Sequence, residues 1–265
     1  MNAPWPDRES RPLVPGAAPE HPIPQVRDGP SSLGLRKIAL LAGLPAEALD
    51  ALAARCAWRT YRAGQHVISR ASRDRDVYLV VSGTVRVTTY AASGRQTTFR
   101  DVKAGDSFGE LAAIDGRPRS ADVVAVEDAL LASMAPGMFW DLLRDQPALA
   151  ERVLARMSGL VRALSERLVD LSTLDVRNRL VAELLRRGRV EGNVAIIDPA
   201  PKHADLASQV STYREQVTRE LSALARIGLI ERAGRTLVVR DLARLARHVA
   251  SARGSGARQL SRRPP

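Results

Sequence analysis

Cysteine is almost missing from this chain, with Cys56 the only one among 265 residues. One thiol excludes an intramolecular disulfide and any all-cysteine zinc or iron–sulfur site within one chain, and it fits a reducing cytoplasm. Cys56 itself reads as a small core residue. Histidine is also scarce: His21, His66, His203 and His248 fall in different stretches, so no metal cluster is expected. No apolar run approaches the ~20 residues of a membrane helix. The opening MNAPWPDRES lacks the basic start and apolar core of a secretory signal, so the expected location is the cytoplasm, away from membranes. P-loop, nucleophile-elbow and kinase motifs are missing too, and no enzymatic activity is expected.

Positive charge, by contrast, is plentiful. The net charge is +11. From position 201 onward, 13 Lys and Arg stand against 5 Asp and Glu, a net of +8 in about a quarter of the chain. Such asymmetry points to a polyanion partner, although an arginine-rich solvated surface has the same signature.

The chain divides by texture. Residues 1–33 carry many prolines and little apolar periodicity, and read as a disordered leader. PAEALDALAARC (45–56) reads as a short amphipathic helix. From about Trp58 to Met134 come short β-rich runs (HVI, DVYLVV, TVRVTTY, QTTFRDV, ADVVAV, ALLASM) punctuated at Gly64, Gly83, Gly94, Gly105 and Gly116. This is the pattern of a compact antiparallel barrel or roll, here assigned to residues 34–145.

Helical spacing returns at Pro136. Within 146–173, Leu154, Met157, Val161, Leu164, Leu168 and Leu171 alternate by three and four. That a/d seam is narrower than the stripe of a core helix, and it predicts pairing with an identical helix in a parallel homodimer. The competing reading packs this helix on its own roll. Residues 174–249 read as a helix over 174–187, a strand-like VAIID, two shorter helices, an apolar hairpin with Gly234 at its tip and a last helix over 241–249. Helix–turn–helix followed by a hairpin is the layout of a winged helix-turn-helix. The remaining 250–265 read as a flexible basic tail.

Two constellations carry chemistry. In FGELAAIDGRPRSADVVAV (108–126), Gly109 allows close backbone approach to an anion, and a helical turn opening at Glu110, with Leu111 and Ala112, can aim N–H groups at a phosphate. Arg119 offers a fork of donors to a phosphate, Ser120 a hydroxyl, and Glu110 can accept from a ribose hydroxyl. The bland reading is an exposed Glu110–Arg119 ion pair contributing ~0–1 kcal/mol. The stretch resembles the phosphate-binding cassette of cyclic-nucleotide-binding domains. That resemblance implies a cyclic nucleotide effector, cyclic AMP first and cyclic GMP second. It also implies that the long helix closes over the base at Leu164 and Ser165. The activator pattern has two adjacent hydroxyl residues there, and only Ser165 keeps one.

The second constellation is ADLASQVSTYREQVTRELSALARIG (204–228). Arg214, Glu215, Thr218 and Arg219 recur at helical spacing on one side, while Val217, Leu221 and Leu224 face Ala207 and Val210. Arginine can grip guanine O6 and N7, and glutamate can accept from cytosine N4. Ser211 or Thr212 is placed to cap this helix, and Lys202, Ser211, Thr212 and Tyr213 to touch phosphates. The segment resembles the helix-turn-helix of the CRP/FNR family of regulators. The combined expectation is an α+β chain. It has an N-terminal cyclic-nucleotide-binding β-roll (a double-stranded β-helix or jelly roll), a long dimerisation helix and a C-terminal winged helix-turn-helix. The resemblance implies inverted-repeat double-stranded DNA, a second copy of the chain and RNA polymerase as partners. Alternative readings keep the DNA binding with a vestigial or otherwise triggered pocket, or turn the winged domain into a protein adaptor.

Overall fold

The structure, a computed structural model, describes residues 32–91 and 96–260, with side chains described through residue 254. All but Ser32 and Leu33 of the 1–33 leader, and the last five residues of the tail, lie outside the described residues.

Two four-stranded sheets form the N-terminal roll. One has the order β1 (Ala57–Tyr61), β8 (Ala129–Met134), β3 (Val77–Ser82), β6 (Ser107–Phe108). The other runs β2 (His66–Ile68), β7 (Asp122–Ala125), β4 (Thr84–Tyr90), β5 (Gln96–Lys103), and every pairing is antiparallel. Alternation along the strands sorts the faces: Val85, Val102 and Leu131 point into the roll, Val77 and Leu79 toward the covering helices, and all five are almost fully buried. Gly83 joins β3 to β4 at φ +80°, where an added Cβ would lie 2.4 Å from the Asp128 carbonyl oxygen, so no other residue fits that turn.

Helices α1 (Ser32–Leu35), α2 (Ala46–Arg55) and α4 (Pro136–Asp145) pack on the first sheet, with Leu35, Ile38 and Phe139 in a shared core. α3 (Glu110–Asp115) lies between β6 and β7. The long helix α5 (Pro147–Thr173) changes character along its length. Leu149 and Val153 are buried in the roll's core, with Met157 half-buried against it. Leu154 and, beyond Met157, Val161, Leu164 and Leu168 are 51–67% exposed. The first turns of α5 therefore pack on the roll, as the competing reading expected, while most of the apolar seam beyond them is left exposed on the single chain.

The C-terminal unit comprises α6 (Val176–Arg187), β9 (Arg189–Glu191), β10 (Val194–Ile197), α7 (His203–Gln209), α8 (Arg214–Arg226), β11 (Ile230–Ala233), β12 (Thr236–Val239) and α9 (Leu242–Leu260). Asp175 caps α6 by accepting from the Asn178 amide at 2.8 Å. Leu180, Leu184, Leu206, Val217 and Val239 build a separate core. The wing is the β11–β12 hairpin with Gly234 at φ +59° in its turn.

Two expectations need correction. Neither Ser211 nor Thr212 caps α8: the capping position falls on Tyr213, and no side chain accepts there. Ser211 instead sits in the left-handed region at φ 55°, and the Thr212 amide bonds the Ala207 carbonyl at 2.9 Å, so both residues are used to make the turn. The last helix also does not stop at Val249 but runs to Leu260. Arg253 explains the extension, donating Nε to Asp170 Oδ1 at 2.8 Å and Nη2 to Oδ2 at 3.1 Å. Asp170 is 2% exposed near the end of α5, and Arg186 also bonds it, at 3.1 Å. Burial pushes that carboxyl up, but the hydrogen bonds from Arg253 and Arg186 outweigh it and hold it below the ordinary range.

Candidate functional site

A cavity of about 460 Å³ lies between the roll and α5. Its apolar wall includes Ile68, Val87, Phe99, Phe108 and Val123 from the roll and Met157, Leu160, Val161 and Leu164 from α5. Its polar end collects Gly109, Glu110, Leu111, Ala112, Arg119 and Ser120. Six of the seven residues expected to bind ligand therefore share one surface. Ser165 is not among the lining residues; it is exposed on α5, and its neighbour Leu164 turns to the cavity instead.

Gly109 takes φ +88° ahead of α3, and no side chain caps that helix. An added Cβ at Gly109 would lie 2.8 Å from the Asp76 carbonyl oxygen and 2.9 Å from Arg119 Nη1. Gly109→Ala is therefore expected to displace Arg119 and weaken the roll by about 1–3 kcal/mol, readable as a lower urea midpoint. A midpoint unchanged within error would show that the turn tolerates the substitution.

Glu110 and Arg119 are 6% and 5% exposed, so the surface ion-pair reading fails on burial. Nor do they pair with each other. Arg119 donates Nη1 to the Gly109 carbonyl at 2.9 Å, and Nη2 to Asp74 Oδ2 at 2.6 Å and the Asp76 carbonyl at 2.9 Å. The Tyr78 ring lies 5.7 Å from its guanidinium carbon, stacked on Phe108, and the Tyr78 hydroxyl donates to Asp74. Burial first, then Asp74, pushes the Tyr78 phenol well above its usual range. Of the four buried side-chain polar atoms without a hydrogen-bond partner among the described residues, two belong to residues lining this cavity: Glu110 Oε2 and Arg119 Nε. An unsatisfied buried acceptor or donor costs about 1–3 kcal/mol, and such groups call for a ligand or water.

Sequence reasoning missed Asp74, Tyr78, Arg100 and Arg167. Asp74 sits in the charged loop RASRDRD, where nothing in the spacing sets it apart from Asp76. Arg100 and Arg167 reach the cavity from β5 and α5, which meet only in the fold.

The second surface is α8. Arg214, Glu215, Thr218 and Arg219 are all exposed, while Val217, Leu221 and Leu224 are buried with Ala207 and Val210. His203 Nδ1 and Thr218 Oγ1 lie 2.8 Å apart, linking α7 to α8. Glu220 is tied inward to Arg177 Nε at 2.7 Å, so the outward face is left to the two arginines and Glu215. Lys202 and Tyr213 are exposed, and Ser211 and Thr212 half-buried, at the near ends of α7 and α8.

The two units touch. Arg86 on β4 bonds Asp101 Oδ1 at 2.7 Å and reaches across to Asp205 Oδ1 on α7 at 2.5 Å. Thr98 Oγ1 and Ser208 Oγ lie 2.9 Å apart in a buried contact, and Arg167 donates to the Gln209 carbonyl. Among the described residues no helix is long and apolar enough to cross a membrane, and no group of three potential metal ligands occurs.

Comparison with known proteins agrees with this division. Residues 58–146 match the cyclic nucleotide-binding domain, and residues 178–248 match the Crp-like helix-turn-helix domain. The chain is 32% identical over 206 residues to the Cyclic AMP receptor protein of Thermus thermophilus, spanning 78% of this chain and 94% of the relative. It is 26% identical over 217 residues to the CRP-like cAMP-activated global transcriptional regulator of Mycobacterium tuberculosis, spanning 80% and 97%. A CooA mutant from Carboxydothermus hydrogenoformans shares the fold with a TM-score of 0.67 at 22% identity, covering 76% of this chain and 90% of that one. A ligand-binding roll joined by one long helix to a helix-turn-helix, and a relative 32% identical across nearly its whole length, place this chain in the CRP/FNR family of transcription regulators.

Proposed function

We propose that the protein is a homodimeric, sequence-specific DNA-binding regulator whose affinity for an inverted-repeat operator is set by a cyclic nucleotide in the roll. One observation carries the ligand half: two oppositely charged side chains are buried on one cavity wall, each with a polar atom lacking a partner. Arg119 and Ser120, with the Gly109–Ala112 backbone, suit a cyclic phosphate, and Glu110 suits a ribose hydroxyl. The relatives' names favour cyclic AMP, with cyclic GMP as the second candidate. RNA polymerase is the further partner that family membership suggests.

Coupling follows from what α5 touches. Its middle lines the cavity and its exposed seam suits a second copy, while its end at Thr173 leads within three residues to α6. A ligand that binds better to one placement of α5 shifts the population toward that placement. The productive state would set two α8 helices about 34 Å apart, one turn of DNA. The test selects bound duplexes from a random pool, with and without each nucleotide. An enriched inverted repeat that depends on nucleotide is expected. Enrichment that no cyclic nucleotide alters would remove the ligand half, and no enrichment at all would remove the DNA half.

A further inference from the structure

Donors around the cavity outnumber acceptors. Arg100 and Arg167 line it together with Arg119, against one carboxylate, Glu110. The Arg119 guanidinium is held at the β3 end of the cavity by Gly109, Asp74 and Asp76. Arg100 is held weakly: Asp106 Oδ2 is 3.6 Å away and the Ser107 carbonyl 3.4 Å. Arg156 contacts the same aspartate and the same carbonyl more closely. Burial first, then repulsion from Arg156, lowers the Arg100 pKa despite Glu110 and Asp106 nearby. Arg167 comes to this wall from α5 and donates to the carbonyls of Phe99 (3.0 Å) and Gln209 rather than to a carboxylate.

This inference rests on the cyclic nucleotide reading. In a nucleotide the ribose lies between phosphate and base. With phosphate at Arg119 and ribose at Glu110, the base falls beyond Glu110. Arg100 lines the same cavity as Glu110, from β5, the strand whose Phe99 carbonyl accepts from Arg167 at 3.0 Å.

We propose that Arg100, supported by Arg167, reads the base and selects guanine over adenine. Guanine presents two adjacent acceptors, O6 and N7, which match the paired donors of a guanidinium. Adenine presents N7 beside its N6 amino donor, and an arginine has no acceptor for that group. Leu164 on the facing helix offers no hydroxyl to receive it either. Guanine selection departs from the cyclic AMP of the relatives' names. Leu164 and Arg100 are the residues of this chain responsible for the departure.

Calorimetry on the full chain tests it with cyclic AMP, cyclic GMP and cyclic IMP, which keeps O6 and N7 but lacks the guanine amino group. Cyclic GMP and cyclic IMP should both bind at least tenfold tighter than cyclic AMP. Glutamine can pair with adenine through N6 and N7, so Arg100→Gln should erase or reverse that preference. Cyclic AMP binding as tightly as cyclic GMP, or cyclic IMP binding as weakly as cyclic AMP, overturns the base assignment alone. A preference that survives Arg100→Gln overturns the role of Arg100. If none of the three binds, the cyclic nucleotide reading falls, and this inference with it. The cyclic IMP comparison needs no variant, so misfolding of Arg100→Gln leaves the test standing.

Discussion

Replacing Arg214 and Arg219 together with alanine is expected to abolish sequence-specific retention of operator DNA while leaving the fold intact. Each arginine that grips a guanine discriminates by about 1–3 kcal/mol, and a two-fold dimer repeats each contact. Four contacts at the lower value sum to about 4 kcal/mol, close to a thousandfold in affinity. Residual binding would be the non-specific kind, carried by phosphate contacts and steeply weakened by salt. Both side chains are exposed, and the core side of α8 uses Val217, Leu221 and Leu224, so stability should change by no more than about 0.5 kcal/mol. Electrophoretic mobility shift with the selected operator and a scrambled duplex, at fixed salt, reads the outcome. Undiminished discrimination between the two duplexes would instead support the adaptor reading of the winged domain.

Leu154→Glu with Leu168→Glu should convert the protein to monomers and, as a consequence, weaken operator binding as severely. These leucines are 67% and 65% exposed on one chain, and neither lines the cavity, so the substitutions leave the effector's surroundings in place. Burying a leucine contributes about 1.5–3 kcal/mol, and a symmetric seam buries each twice. Two sites in two copies lose about 6 kcal/mol or more, roughly four orders of magnitude in dimer affinity, before repulsion among four carboxylates is added. Analytical ultracentrifugation at micromolar concentration checks the mass. A parent protein that is itself a monomer there would refute the seam, and a double variant that remains dimeric would place the interface elsewhere.

The docking of α7 on β5 bears on how the two surfaces communicate. Arg86 is 8% exposed and divides its donors between Asp101 in its own sheet and Asp205 on α7. Arg167 lines the cavity and also donates to the Gln209 carbonyl at the end of α7. On the proposed mechanism, a ligand that displaced α5 would act on the Arg167–Gln209 bond, one of those that hold α7 in place.

Much of this architecture is readable from the chain alone, because short-range physics decides it. Period-two runs with glycine turns specify the strands of the roll. The three–four spacing from Leu154 to Leu171 specifies an apolar stripe that one chain leaves uncovered. The positions of Arg214, Glu215, Thr218 and Arg219 follow from helical pitch, and Gly109, Glu110, Arg119 and Ser120 lie within twelve residues of one another. The strand β6 was not legible, since two residues, Ser107 and Phe108, are too few to show a period. The extension of α9 was not legible either: a Gly/Ser/Arg segment has weak helix propensity, and its observed anchor, Asp170, lies 83 positions earlier.

Sequence by itself determined the order of units, the apolar stripe of α5 and the local groups able to hold a phosphate, since each depends on neighbours within a few turns or strands. Only the tertiary structure decided the partners of those groups. It sent Arg119 to Asp74 rather than Glu110, turned Leu164 rather than Ser165 to the cavity, and brought Arg100 and Arg167 to one wall. Which charges meet there depends on how α5 crosses the cavity opposite β5, and no local pattern along the chain encodes that placement.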